Sequence, residues 1–148
     1  MSPAGVELGL AGLRDLDQIL ELENASFGDD AYGRSVFLFR MATDRDGFIV
    51  ARREGRVVGY VLAIRRGRDA LIMSIAVLSE FKRKGVGTAL MKAALAQLAR
   101  FERVFLQVDV ANEAAINFYR KFGFAETGKV HPRYYPNGHD AMEMAREL

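Results

Sequence analysis

The sequence predicts a protein of the α/β class with mixed (α+β) organisation, and three observations indicate this. Runs of β-branched residues cluster in the first half of the chain, as in a meander of strands. In the second half, predicted strands alternate with helical patterns, and the strongest helical pattern separates the two halves. The chain has 148 residues and contains no linker-like segment. We therefore expect residues 1–148 to form a single domain.

The first elements are a short strand and two helices. Val6–Leu10 predicts the strand, and apolar residues at helical spacing from Leu13 predict a helix that continues to about Ala25. The glycine and two aspartates of Phe27–Tyr32 predict a loop. Arg34–Met41 predicts the second helix, because its apolar residues recur at the spacing of a helical turn.

Three strands follow as a meander. Phe48–Arg52 and Val57–Ile64 are rich in β-branched residues, and the turn residues Glu54–Arg56 between them predict a hairpin. Asp69–Val77 predicts the third strand of this group. Hairpin connections make neighbouring strands antiparallel, so this part of the sheet is expected to be antiparallel.

The second half begins with the strongest helix prediction, over Gly85–Arg100. Strict alternation predicts a strand over Val104–Val110. Asn112–Phe122 predicts a helix with Asn112 as its N-cap, and the glycine that follows ends it. Phe124–Val130 and Asp140–Ala145 are expected to close the sheet around a polar loop.

Composition excludes several classes of protein. The chain has no cysteine, which excludes a disulfide scaffold, thiol catalysis and iron–sulfur clusters and suits a reducing cytoplasm. The net charge of +2 is too small to indicate nucleic-acid binding. No apolar run approaches the ~18 residues of a membrane span, and the N-terminus lacks the pattern of a signal peptide. His131 and His139 have too few companions to predict a metal site.

An apolar strand running into a basic, glycine-containing turn and then a helix predicts an anion site. The strand ends with Ile75, Ala76 and Val77, and the turn and first helical residues are Lys82, Arg83, Lys84, Gly85, Val86, Gly87 and Thr88. Helix N-termini carry unpaired N–H donors, and glycine lets them approach a phosphate closely. The alternative is that the glycines only shape the turn and the basic side chains are solvated. The spacing matches neither a Walker A loop nor the dinucleotide-binding fingerprint.

A second motif makes a family resemblance specific. Asn112, Ala115, Tyr119, Gly123 and Phe124 match the N-x-x-A-x-x-x-Y-x-x-x-G-F pattern of the GNAT superfamily of N-acetyltransferases. The basic glycine turn resembles the family's [RQ]-x-x-G-x-[GA] turn. The ending, with Arg133-Tyr134-Tyr135, Asp140-Ala141 and Met144, resembles the protein N-terminal (Nα) acetyltransferases, which include the ribosomal-protein alanine enzymes.

The resemblance implies a fold, a cofactor and roles for particular residues. The fold would be a mostly antiparallel sheet of about seven strands with about four helices, and the cofactor would be acetyl-CoA. The backbone of Ile75–Val77 would pair with the pantetheine arm, and the turn at Lys82–Thr88 would hold the pyrophosphate. Asn112 and Phe118 would contact the inner arm, and Tyr119 would protonate the departing thiolate. The competing interpretations are that Asn112 is only a cap and that Tyr119 belongs to the core.

The sequence departs from the family at the position of the base. Gln107 stands where the ribosomal alanine branch has a glutamate, Leu71 where some relatives have a catalytic tyrosine, and Lys82 where Arg or Gln is usual. An amide does not accept a proton at neutral pH. Glu23 is the first alternative candidate for a base; the other interpretation of Glu23 is a solvated helix acid. Without a strong base an α-amine is favoured, because about a tenth of it is neutral at pH 7, against roughly one part in 2,500 for lysine.

The acceptor is expected to bind between two loops. The resemblance places Phe27, Tyr32, Tyr134 and Tyr135 around a peptide slot, although paired loop tyrosines also pack against each other. The main hypothesis is therefore an acetyl-CoA-dependent Nα-acetyltransferase of protein or peptide N-termini, as a cytoplasmic monomer or homodimer without membrane or nucleic-acid partners. The alternatives are acetylation of a small amine or a lysine side chain, or a non-catalytic acyl-CoA-binding module.

Overall fold

In the computed structural model, which describes residues 5–148, a central sheet of seven strands is flanked by four α-helices. The strand order is β1-β2-β3-β4-β5-β7-β6, and all neighbouring strands are antiparallel except β4 and β5, which are parallel. The predicted fold class, with its mostly antiparallel sheet, is confirmed. The described residues include no helix that is long and apolar enough to cross a bilayer.

The element bounds follow the predicted order closely. The helices are α1 (Leu16–Phe27), α2 (Arg34–Thr43), α3 (Val86–Gln97) and α4 (Glu113–Lys121). The strands are β1 (Glu7–Leu10), β2 (Phe48–Arg53), β3 (Arg56–Arg66), β4 (Asp69–Val77), β5 (Arg103–Asp109), β6 (Ala125–His131) and β7 (Ala141–Glu147). Most predicted ends differ from these bounds by one to three residues.

Two hydrophobic clusters cover opposite faces of the sheet. Alternation along β3 sends Val61 towards a cluster with α3 and α4, and Tyr60 and Leu62 towards a cluster with α1 and α2. Leu90 and Met91 of α3 are fully buried in the first cluster, together with inward-facing residues of β5 and β7. The alternating pattern that predicted β5 thus places Val104, Leu106 and Val108 on the face that α3 and α4 cover.

The start of α1 differs from the prediction. Leu13 was expected to begin the helix, but Leu13–Asp15 form a 3-10 turn and the Leu13 side chain is 72% exposed. The reason is Asp15, whose carboxylate accepts a hydrogen bond from the Gly12 N–H at 2.8 Å and forms an ion pair with Arg52 at 2.5 Å. These contacts fix the chain in a turn ahead of the helix.

Two glycines position the helices and strands around the sheet. Gly85 lies before the first helical residue of α3 rather than in it, with φ +83°, a conformation that glycine adopts without strain. Gly47 approaches β3 so closely that an added Cβ would overlap the carbonyl oxygen of Ala63. The α3 helix also ends three residues earlier than predicted, at Gln97.

The pairing of β6 with β7 contains a wide bulge. Glu126 pairs with Met144 and Val130 pairs with Met142, so residues 127–129 of β6 lie opposite the single residue Glu143. Gly128 lies within this bulge with φ +91°. β6 is also an edge strand of the sheet, and most of its residues are exposed.

Candidate active site

The parallel strands β4 and β5 pair only over a short stretch and then separate. Their pairs run from Ala70 with Val104 to Ile72 with Leu106. Beyond Ile72, β4 remains paired with β3 through Val77, while its other edge has no strand partner within residues 5–148. The backbone of Ile75–Val77 therefore has one free edge, which is what an added pseudo-strand needs.

A cavity of about 390 Å³ lies where these two strands diverge. It is bounded by β4 and β5, the end of α1, the loop before α2, α4 and the loop between β6 and β7. The predicted site residues that line it are Glu23, Phe27, Tyr32, Ile75, Gln107, Asn112, Tyr119, Tyr134 and Tyr135. The structure thus brings together residues that are widely separated along the chain.

Glu23 is buried at the cavity wall, with only 1% of its surface exposed, so the interpretation of a solvated helix acid is wrong. Its Oε1 accepts hydrogen bonds from the hydroxyls of Tyr60 and, at 2.6 Å, Ser74. Its Oε2 accepts the Tyr32 N–H at 2.8 Å. These three donors stabilise the buried carboxylate and fix the loop after α1.

Tyr60 and Ser74 were missed by the sequence reasoning. Tyr60 is fully buried on β3, and its hydroxyl also lies 3.1 Å from the Ser74 Oγ. Burial and the Glu23 carboxylate raise the pKa of Tyr60 above its ordinary value. One signal was available, because a tyrosine within an aliphatic strand needs a polar partner for its hydroxyl.

Three loop tyrosines, Tyr32, Tyr134 and Tyr135, line one side of the cavity. Burial, followed by the neighbouring Tyr134 and Glu23, raises the pKa of Tyr32 to about 12. Burial and the same cluster of hydroxyls also raise the pKa of Tyr135. The Tyr134 and Tyr135 rings pack edge to face with centroids 5.0 Å apart. The hydroxyls of Tyr32 and Tyr135 therefore stay protonated at neutral pH and are available as hydrogen-bond donors.

The loop that carries Tyr134 and Tyr135 is anchored to the end of β5. The carboxylate of Asp109 lies 2.8 Å from His139 Nδ1 and also accepts the Ala111 N–H at 2.9 Å. Burial opposes ionisation of Asp109, but these hydrogen bonds outweigh it and lower its pKa. The His139 side chain is 49% exposed while it makes this contact.

Tyr119 lines the cavity from α4. The ring packs edge to face on Phe118 and Phe124, with centroids 5.6 and 6.1 Å away. Its hydroxyl has no hydrogen-bond partner among residues 5–148, and burial raises its pKa to about 12. Tyr119 is thus a packed residue that also lines the cavity, so its packing does not exclude the predicted role as general acid.

Gln107 and Asn112 line the cavity from β5 and the start of α4. Gln107 Nε2 lies 3.5 Å from Glu143 Oε2, while Gln107 Oε1 is buried without a partner within the described residues. Asn112 is an N-cap as predicted, because its Oδ1 accepts the Ala115 N–H at 3.1 Å. Asn112 also lines the cavity, so its role as N-cap does not exclude the predicted contact with the cofactor.

The basic turn lies outside the cavity, at the N-terminus of α3. The side chains of Lys82, Arg83 and Lys84 are exposed and form no salt bridge with another residue of the range 5–148. The N–H groups of the first helical turn, Val86–Thr88, have no acceptor within the helix. An added Cβ at Gly87 would lie 3.5 Å from the Phe118 ring. The donor set therefore fits a diphosphate, and the Phe118 ring beside Gly87 packs against Tyr119 of the cavity wall.

Comparisons with known proteins agree with this geometry. Residues 14–124 match the acetyltransferase (GNAT) family. The chain is 35% identical to an N-alpha-acetyltransferase of Sulfurisphaera tokodaii, over 93% of this chain and 90% of the relative. It is 31% identical to the N-alpha-acetyltransferase RimI of Mycobacterium tuberculosis, over 96% and 92% of the two chains.

A solved structure shows the same fold over nearly the whole chain. The crystal structure of Ard1 from Thermoplasma volcanium has a TM-score of 0.93 and 29% identity, and the match covers 98% of this chain and 99% of that one. The family match and the relatives' names confirm the expected cofactor and reaction type. The chain belongs to the GNAT family of acetyltransferases, enzymes that transfer an acetyl group from acetyl-CoA.

Proposed function

We propose that this acetyltransferase transfers acetyl to the α-amino group of a protein or peptide N-terminus. The observation that carries the proposal is the cavity between the separated strands β4 and β5. Its acceptor side is walled by Tyr32, Tyr134 and Tyr135. Tyrosine hydroxyls can bind the backbone of an extended peptide while the rings exclude water. The relatives named N-alpha-acetyltransferases support the same acceptor class.

The chemistry of the cavity favours an α-amine over a lysine side chain. Among the described residues that line it, Glu23, Asp30 and Asp109 carry carboxylates and no lysine, arginine or histidine is present. Glu23 already accepts three hydrogen bonds and Asp109 is engaged with His139. An acceptor that is already partly neutral needs no strong base. At pH 7 the neutral fraction of an α-amine exceeds that of lysine by about 250-fold.

We further propose how the chain holds acetyl-CoA. The N–H groups that begin α3, with Lys82–Lys84, bind the diphosphate. The free edge of Ile75–Val77 pairs with the pantetheine arm, and one of its N–H groups stabilises charge on the thioester oxygen. Asn112 and Phe118 contact the inner part of the arm. Acetyl-CoA supplies a thioester carbonyl carbon that is open to direct attack by an amine.

Direct transfer of the acetyl group from the thioester to the amine needs no covalent enzyme intermediate. A bond forms between the amine nitrogen and the acetyl carbon, and the bond from that carbon to sulfur breaks. The amine loses one proton to solvent, and the departing thiolate gains one from the hydroxyl of Tyr119, which solvent then reprotonates. The chain has no cysteine to form an acyl-enzyme. Glu23 holds the acceptor loop through the Tyr32 N–H.

The test is release of coenzyme A thiol with peptides that vary at positions one and two. Each peptide is assayed with a free and with a chemically blocked N-terminus, and both forms contain one internal lysine. We expect activity only with the free form, and mass spectrometry should locate the acetyl group on the α-nitrogen. Activity that survives blocking would reject this proposal in favour of a lysine acceptor. Activity only with small amines would reject a peptide acceptor altogether.

A further inference from the structure

Three polar side chains form a row across β5, β7 and β6 on the sheet face opposite α3 and α4. Gln107 pairs with Glu143 in the register of β5 and β7, and its Nε2 lies 3.5 Å from Glu143 Oε2. The other carboxylate oxygen of Glu143 accepts the Thr127 hydroxyl at 2.9 Å. Thr127 belongs to the β6 bulge, and its Oγ1 also accepts the Lys129 N–H at 3.2 Å. The bulge thus places a donor on the buried Glu143.

This row fixes the orientation of the Gln107 amide. A carboxylate only accepts hydrogen bonds, so the NH₂ end of the amide must face Glu143. The carbonyl oxygen Oε1 is then left at the opposite end of the amide. It is buried without a hydrogen-bond partner among residues 5–148, although Gln107 itself lines the cavity. Buried polar atoms are nearly always paired, and this oxygen keeps its full capacity to accept a hydrogen bond.

The attacking amine is a donor of the required kind. A neutral primary amine has one lone pair, which must point at the thioester carbon, and two N–H groups that are free to donate. A neutral acceptor at the cavity wall orients this nitrogen without binding its ammonium form too tightly. The oxygens of Glu23, a buried acceptor at the same cavity, already receive three donors.

We propose that Gln107 Oε1 accepts a hydrogen bond from the attacking amine, and that Glu143 is the positioning residue that holds the amide in this orientation. Thr127 supports Glu143 from the β6 bulge. The inference rests on the proposed transfer to an amine but does not depend on whether that amine is an N-terminus or a lysine. It gives the glutamine at this position a role that needs no proton transfer.

The experiment is steady-state and single-turnover kinetics with whichever amine the wild-type protein acetylates best. Gln107→Met keeps the side chain's length and removes the amide, and Gln107→Asn keeps an amide but withdraws it by one methylene. Both should lower kcat/KM for the amine about tenfold and leave the affinity for acetyl-CoA, measured by calorimetry, within about twofold. Unchanged kcat/KM in either variant, with the variant folded, would overturn the role of Gln107.

A double-mutant cycle tests the role of Glu143. Glu143→Leu should lower kcat/KM several-fold in the wild-type background and have almost no further effect in the Gln107→Met background. Glu143→Gln, whose amide oxygen still accepts from Gln107 Nε2, should recover most of the activity. An equal effect of Glu143→Leu in both backgrounds would show that Glu143 does not act through Gln107.

The pH profile separates positioning from proton transfer. If Glu143 only positions the amide, Glu143→Gln keeps the wild-type dependence of kcat on pH between 6 and 9. Loss of the acidic limb together with a fall of 100-fold or more would identify Glu143 as a base and overturn the proposal. Failure of the proposed N-terminal acceptor would appear elsewhere, as activity of the wild-type protein on blocked peptides.

Discussion

Replacing Tyr119 by phenylalanine removes one oxygen atom from the cavity and leaves the packing of α4 in place. The ring contacts with Phe118 and Phe124 do not involve the hydroxyl. The hydroxyl has no hydrogen-bond partner among residues 5–148. We therefore expect the free energy of unfolding to change by about 0.5 kcal/mol or less. The variant then reports on chemistry rather than on folding.

The size of the effect follows from the pKa values of the acid and the leaving group. With its pKa at about 12, Tyr119 is almost entirely protonated across the assay range, with roughly one part in a thousand ionised at pH 9. General acids contribute about 10²- to 10⁴-fold. A thiolate whose conjugate acid has a pKa near ~8.5 leaves without full protonation. We therefore expect the lower end of that range, a loss in kcat of about 100-fold in Tyr119→Phe.

The assay is thiol release at saturating acetyl-CoA and peptide between pH 6.5 and 9, with single-turnover measurements to isolate the chemical step. The KM for acetyl-CoA should stay within about threefold of the wild-type value, because the hydroxyl contributes to the transition state rather than to binding. A single-turnover rate within twofold of wild type would refute the role of Tyr119 as general acid.

Three further predictions concern stability and donor binding. Gly47→Ala should lower the free energy of unfolding by about 1–3 kcal/mol and Tm by about 5 °C, because the new Cβ overlaps the backbone of β3. Gly33→Ala is the control, because no heavy atom lies within 4 Å of its new Cβ, and it should shift Tm by about 2 °C or less. Burial opposes ionisation of Asp15, but its hydrogen bonds lower the pKa of the carboxyl below its ordinary value of 3.8. The stability that the ionised Asp15 contributes is therefore present above pH 3.8 and is lost as the pH falls through the folded-state pKa. Asp15→Asn should lower the free energy of unfolding by about 2 kcal/mol at pH 7, and stability measured with urea should then fall less steeply below pH 4. Alanine at all three basic residues of Lys82–Lys84 should raise the KM for acetyl-CoA about tenfold, and by less in 0.5 M salt, whereas Lys92→Ala, at an exposed lysine, should leave the KM unchanged. Equal effects of these two variants would contradict the role of the basic turn. An unchanged dependence of the unfolding free energy on pH in Asp15→Asn would contradict the argument for Asp15.

Local patterns were sufficient to predict the elements, and the motifs of the family resemblance named much of the candidate site. Alternation identified β5, helical spacing identified α3, and the N-cap role of Asn112 followed from its position before a helical pattern. These features depend on neighbours within a few residues, which a sequence displays directly. The tyrosines and Gln107 were named from motif positions, and the structure brings them to one cavity.

Long-range pairing could not be predicted in the same way. The Glu23 carboxylate binds hydroxyls 37 and 51 residues further along the chain, so nothing near Glu23 indicates that it is buried. The partnership of Gln107 and Glu143 depends on the register of β5 with β7, which no pattern within either strand displays. Leu13 was misplaced for a similar reason, because Arg52, on another strand, holds the turn before α1.

The bulge in β6 has a consequence for the behaviour of the protein in a crowded solution. An unpaired strand at the edge of a sheet is a template on which other extended chains can add. Here the irregular backbone at Gly128 and the charged side chains of Glu126 and Lys129 interrupt that template. Other extended chains therefore pair less readily with this edge strand, which opposes aggregation through the sheet.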